Sequence, residues 1–152
     1  MNPTLDTIVL TIHVLGAAVW FGPKLFWPRR LRTGLASAES AKVVVPAIAR
    51  ELRVTSAGAV LVFATGLALI FLHGGFKAVP PRIHAGLGLT LVAFTAGLAV
   101  SLPALVALWR HVEQGDLEKA RPLVKRIAIG EAIEHTCWLA TLVLMVWRIP
   151  PS

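Results

Sequence analysis

Four apolar stretches divide the chain, and segments rich in Pro, Gly and charge separate them. They run from about Leu5 to Trp27, Thr55 to Leu72, Ile83 to Trp109 and Ile127 to Trp147. Each is long enough to cross a hydrocarbon core of about 30 Å, which takes about 20 helical residues. Backbone amides and carbonyls find no water in lipid, so spans of this length must be helices. The helix of the second stretch can begin earlier, near Val43. Pro3 suits a first helical turn, and Pro28 is placed to stop the first helix. Gly74-Gly75 ends the second helix, and Pro80-Pro81 keep the next connection non-helical. Pro23 and Pro103 lie inside the first and third stretches and predict a kink in each. The expected architecture is all-α, an integral membrane four-helix bundle occupying residues 1–152 as one domain.

Composition supports this reading. Hydrophobic residues make up 56% of the chain, and the mean hydropathy is +0.72. That exceeds the apolar content of ordinary soluble domains. The second and third stretches carry small residues (Ser56, Gly58, Ala64, Gly66; Ala85, Gly86, Gly88, Ala96, Gly97), which let helices approach closely in lipid. The N-terminus lacks the basic region of a cleavable signal, so the first stretch is expected to be a retained span. Cys137 is the single cysteine, which excludes a disulfide framework or a CxxC metal site.

Lys and Arg outnumber Asp and Glu by 15 to 8. The excess sits in the connections, a pattern of membrane topology and not of nucleic-acid binding. Arg29, Arg30, Arg32, Lys42, Arg50 and Arg53 precede the second span; Arg110, Lys119, Arg121, Lys125 and Arg126 precede the fourth. The other side carries only Lys77, Arg82 and Arg148. Both long connections are therefore expected in the cytoplasm, with both termini on the periplasmic or exterior side of a bacterial inner membrane. The segment Gly115 to Arg126 reads equally well as a surface-lying or a solvated connection.

Ionisable residues inside spans are costly and mark sites. His13, Trp20, Lys24 and Trp27 are spaced by seven, four and three, which places them on one face of a regular helix. His84 opens the third span, and His73, at the end of the second, reads as an interfacial anchor. His135 lies near the middle of the fourth span, with Glu131 one turn before it and Trp138 nearly one turn after. Two histidines on facing helices are a common way to hold a b-type heme. Hydrogen bonding of His135 to a backbone carbonyl is the competing role. Lys24 and Glu131 fall at similar depth, so an ion pair between the first and fourth spans is expected; Glu134 also needs a partner, and Arg126 or Lys125 reaches it only if the helix starts deep. Cys137 and Met145 are soft copper ligands by type, but they point in different directions and core packing accounts for them better. No HExxH, Walker A, GxSxG or GxGxxG motif occurs in a suitable context.

The first span and its exit, HVLGAAVWFGPKLFWPRRLR, resemble the opening helix of the HemJ-type protoporphyrinogen oxidases and the wider CopD-like membrane proteins. The matching residues are His13, Trp20, Pro28 and Arg29. ARELRVTSAGAVLVFATGLALIF, RIHAGLGLTLV and KRIAIGEAIEH are similar to the second, third and fourth helices, with His84 at the family's histidine and Glu131 at its acidic position. The chain departs from the pattern at Gly86, Gly130 and Ile133, has no tyrosine, and carries His135 in addition. The resemblance implies a four-helix membrane protein that binds heme b and handles electrons.

The leading expectation is thus a heme b-binding redox protein, passing electrons to quinone or oxidising a porphyrinogen. Its cofactor-binding candidates are His13, His84, His135, Trp20, Lys24 and Glu131. A CopD-like copper-handling protein, with His13, His84 and His135 as metal ligands, is the alternative. A non-catalytic subunit of a larger membrane complex is the third reading. The sequence names no catalytic residue and leaves substrate, donor and oligomeric state open, including a homo-oligomer.

Overall fold

In the computed structural model, residues 3–146 are described; Trp147 and Arg148, placed by the sequence at the end of the fourth span, lie outside them. Six α-helices build four spans. The first consists of α1 (Pro3–Phe21), a 3-10 segment (Pro23–Phe26) and α2 (Trp27–Gly34). The second is α3 (Ala38–Leu72). The third is α4 (Pro81–Ala96), a π-helical segment (Gly97–Ser101) and α5 (Leu102–Glu113); the fourth is α6 (Leu117–Val146). All four are long and apolar enough to cross a membrane. The all-α four-helix bundle expected from the sequence is the architecture observed.

The helices run further than the apolar stretches at the basic end. α3 starts at Ala38, where the Ser37 side chain caps it by accepting from the Ser40 amide at 3.2 Å. α6 starts at Leu117, where Asp116 Oδ1 accepts from the Lys119 amide at 3.1 Å. The Lys119 side chain beside Asp116 holds this carboxyl below its usual range. Neither basic segment is a loop: Lys42 to Arg53 and Lys119 to Arg126 belong to the long helices α3 and α6. At 35 residues, α3 is about 52 Å long at about 1.5 Å per residue, well beyond the hydrocarbon thickness. Pro28 does not stop the first helix. It occupies the first turn of α2, where a missing N–H costs nothing. The breaks fall where Pro23 and Pro103 were expected to place them, as the 3-10 and π segments. At the other end, Gly74 and Gly75 adopt φ of +94° and +84° to turn the chain out of α3, and Pro80-Pro81 start α4.

The bundle is two helical hairpins. α1 packs on α3, and α4 packs on α6. At the basic end the ring closes fully, α2 touching α3 and α6 while α5 touches α3 and α6. There all four spans share an apolar core that includes Trp27, Leu31, Ile48, Leu108 and Ile127. In the other half the hairpins stand further apart, and rings fill the space between them. Phe94 of α4 lies 5.2 Å from Phe63 and 6.2 Å from Trp20, and Trp138 of α6 lies 5.5 Å from Phe21.

Small residues govern approach within a hairpin. A Cβ at Gly58 would come within 2.8 Å of the Trp20 amide nitrogen and 3.0 Å of the Gly16 carbonyl oxygen. The backbones of α1 and α3 therefore touch at this crossing, as packing in lipid favours. Gly88, of the same predicted small-residue set, meets nothing within 4 Å. Gly58→Leu should separate α1 from α3 and cost about 1–3 kcal/mol, whereas Gly88→Ala should be neutral or slightly stabilising. Thermal unfolding in detergent micelles compares the two; equal midpoints would refute the close crossing.

Candidate functional site

Between the aromatic layer and the basic-end core lies a polar layer that the fold seals from its surroundings. Pro23 gives the first span its 3-10 turn, and Lys24, the next residue, points inward with only 5% of its surface exposed. Its ammonium donates to Glu134 Oε2 at 2.7 Å and stands 3.6 Å from Glu131 Oε1. Glu131 and Glu134 are buried on one face of α6. The expected pairing of Lys24 with Glu131 is present, but the tighter bond goes to Glu134. Arg126 and Lys125, considered for Glu134, form no ion pair with it.

Room for this layer comes from α4, α5 and the π segment between them. A side chain at Gly97 would collide with Glu134, whose Oε1 lies 2.8 Å from the position of its Cβ. Pro103 lacks an N–H, and ahead of it the ladder widens so that the Leu102 amide bonds Gly97, five residues back. The widened turn ends at Ser101, which is 5% exposed and packs against Gly130 of α6. A cavity of about 120 Å³ adjoins the layer, lined by Lys24, Glu134, Ser101, Thr55, Trp20 and Trp27 among others. It is smaller than cofactor pockets, which run from about 300 Å³, and suits water. Lys24 also lies 5.5 Å from the Trp27 ring centroid. Trp27 in turn donates to Glu51 at 2.9 Å, and Arg30 donates to both oxygens of Glu51 at 2.7 Å.

His135 sits one turn beyond Glu131, and the structure gives it backbone partners. Its Nδ1 is 2.6 Å from the Glu131 carbonyl oxygen and its Nε2 is 3.2 Å from the Phe21 carbonyl oxygen. A 3-10 turn bonds amides three residues back instead of four, which leaves a carbonyl near the junction after Phe21 short of a donor. Carbonyls only accept, so the ring nitrogen that carries hydrogen donates to one of them. Both nitrogens face carbonyl oxygens, so neither is turned toward a metal in this arrangement. The Glu131 carboxylate faces Lys24 and not this ring.

His13 lies apart from this layer, half-buried against α3. Its Nδ1 is 2.9 Å from Thr65 Oγ1. The Thr65 hydroxyl also lies 2.6 Å from the Leu61 carbonyl, and with its hydrogen there it can accept from His13 Nδ1–H. In that tautomer Nε2 carries the lone pair, the form in which histidine ligates metals. Gly66 makes space for the ring, for its Cβ would come within 3.2 Å of His13 Cε1. Of the residues expected on one face, Trp20, Lys24 and Trp27 line the cavity together and His13 does not. Trp20 stacks on Phe21 at 4.4 Å within the aromatic layer. His84 is exposed beside Phe76, at 6.3 Å between centroids. His73 Nδ1 donates to the Leu69 carbonyl, with Asp6 3.7 Å from Nε2. Among the described residues, no three His, Cys, Asp or Glu side chains gather where one metal ion could bind all of them.

Thr65, Ser101 and Thr55 escaped sequence reading because hydroxyls are common in membrane helices. Pro103 was the one signal for Ser101, since a proline inside a span forces a local break. The fold defines the class of the protein: a multi-pass, all-α membrane protein with a buried ionic layer between two apolar ones. No known protein family, curated protein or solved structure matches the chain.

Replacing Lys24 should be costly, because two buried carboxylates lose their shared donor. Lys24→Met is expected to destabilise the fold by about 3–5 kcal/mol, and adding Glu134→Gln should restore a large part. Denaturant unfolding in micelles of the single and double variants measures this coupling, and purely additive losses would remove the pairing as its cause.

Proposed function

We propose that this chain is a heme b-binding redox protein of a bacterial inner membrane, with His13 as a ligand. The single observation that carries the reading is the contact of His13 Nδ1 with Thr65 Oγ1, by which Nε2 would be the ligating nitrogen. The resemblance to HemJ-type and CopD-like proteins, whose first-helix histidine matches His13, supports the same reading. His13 also lies in the half of the bundle where the hairpins stand apart. His84 or His135 would supply a second ligand, the latter after its Nε2 leaves the Phe21 carbonyl. When bound, heme would supply one-electron chemistry that no side chain here provides. The chain would hold it through His13, with Thr65 orienting the ring. Lys24 and Glu134 line a water-sized cavity, where this ionic layer can hold a proton. Quinone and a porphyrinogen are the electron partners this reading admits.

We also assign the basic end to the cytoplasm and both termini to the exterior, following the excess of Lys and Arg at that end. A reporter that is active only in the cytoplasm, inserted at Gly115, should be active; activity only of an exported reporter at that position would reverse the orientation.

An absorption spectrum of the detergent-purified protein from heme-replete cells tests the cofactor. A Soret band, with sharp α and β bands on dithionite reduction, is expected. His13→Ala should abolish it. Thr65→Val should weaken heme retention about 10–100-fold, the usual cost of losing a ligand's hydrogen-bond partner. His84→Ala and His135→Ala separate the two choices for the second ligand. A flat spectrum would overturn the reading.

A further inference from the structure

An open groove of about 500 Å³ lies between α2 and α6 at the basic end of the bundle. Arg32 from α2 and Arg121 and Lys125 from α6 line it with their cationic side chains. Leu35, Val124 and Ala128 supply apolar wall, and no acidic residue contributes to the lining. The ion pairs of this end engage other cations: Arg30 meets Glu51 and Lys119 meets Asp116. Arg32, Arg121 and Lys125 thus gather with no anion among the described residues facing them. Three cations held in one concave site repel one another, and an anion relieves that cost.

Depth identifies the anion. Lys125 lies 21 residues before Val146 on one continuous helix, about 31 Å away at about 1.5 Å per residue. That matches the hydrocarbon thickness of about 30 Å. With the Val146 end at one face of the membrane, Lys125 and Arg121 stand at headgroup level on the other. Ala128, nearly one turn deeper than Lys125, then lies where acyl chains begin. The groove has the size of a small-ligand site, with Ala128 at its lipid end and cations from both helices around it.

We propose that this groove binds the phosphate headgroup of an anionic phospholipid, with Arg32, Arg121 and Lys125 as its ligands and the acyl chains descending past Ala128. Arginine suits the role because its planar fork pairs phosphate oxygens two at a time. Binding of this kind ties α2 to α6, the contact that closes the ring at the basic end. The inference is independent of heme binding.

The test uses the full chain purified in neutral detergent. Its unfolding temperature is followed on addition of phosphatidylglycerol, of phosphatidylcholine, or of inorganic phosphate. Phosphatidylglycerol alone should raise the midpoint, and the rise should shrink at high salt. In the triple variant Arg32→Gln/Arg121→Gln/Lys125→Gln, the basal midpoint should stay close to that of the parent, while apparent phosphatidylglycerol affinity falls at least tenfold. Lys42→Gln/Arg53→Gln/Arg110→Gln, which neutralises three exposed cations at the same end, should leave that affinity within about twofold. Equal responses to the two lipids would overturn the proposal. So would loss of affinity in the second triple variant equal to that in the first, which means a general charge effect. A response to inorganic phosphate as large as that to phosphatidylglycerol would also overturn it, in favour of a soluble phosphate compound. If the first triple variant does not fold, native mass spectrometry of the parent decides. Phosphatidylglycerol retained at one copy per chain, with phosphatidylcholine released, supports the groove, and indiscriminate retention of both removes it.

Discussion

Two carboxylates and a lysine in an apolar bundle constrain everything around them. Removing such charges from water costs several kcal/mol each, and only close pairing offsets it. The backbone is arranged to permit that pairing. The 3-10 turn at Pro23 directs Lys24 inward, Gly97 leaves space for Glu134, and the π segment ahead of Pro103 brings Ser101 against Gly130. Each irregular stretch of backbone in these spans lies beside the ionic layer. Irregular backbone is tolerated at membrane depth where it is buried in protein or lines a cavity, and this layer provides both conditions.

On either side of that layer the bundle is held by different forces. The basic-end core buries Trp27, Leu31, Ile48, Leu108 and Ile127 where all four spans meet. In the other half the hairpins stand apart. Close backbone contact at Gly16 and Gly58 joins α1 to α3, and aromatic rings bridge the wider space between hairpins. The bundle is therefore tightest at the basic end and more open where His13 lies.

The two candidate centres are chemically distinct. His13 has one nitrogen against the Thr65 hydroxyl, while His135 has both nitrogens against carbonyls. Sequence spacing offered both as ligand candidates because both lie within apolar spans. The difference lies in their partners. Thr65 is 52 residues away from His13, and Phe21 is 114 away from His135.

By itself the sequence determined the number of spans, the all-α class, the positions of the backbone breaks and the charge asymmetry between the ends. These follow from local rules: the length of apolar runs, the missing N–H of proline, the freedom of glycine and the cost of charge in lipid. It also placed Lys24 and Glu131 at one depth, because helix rise is regular. Only the tertiary structure decided that Glu134 takes the shorter bond, that His135 faces carbonyls, and that Arg32 joins Arg121 and Lys125 in one groove. Those outcomes depend on the rotation of each helix about its axis and on the spacing between helices. Both are set by side-chain packing between residues far apart in the chain, which no local pattern encodes.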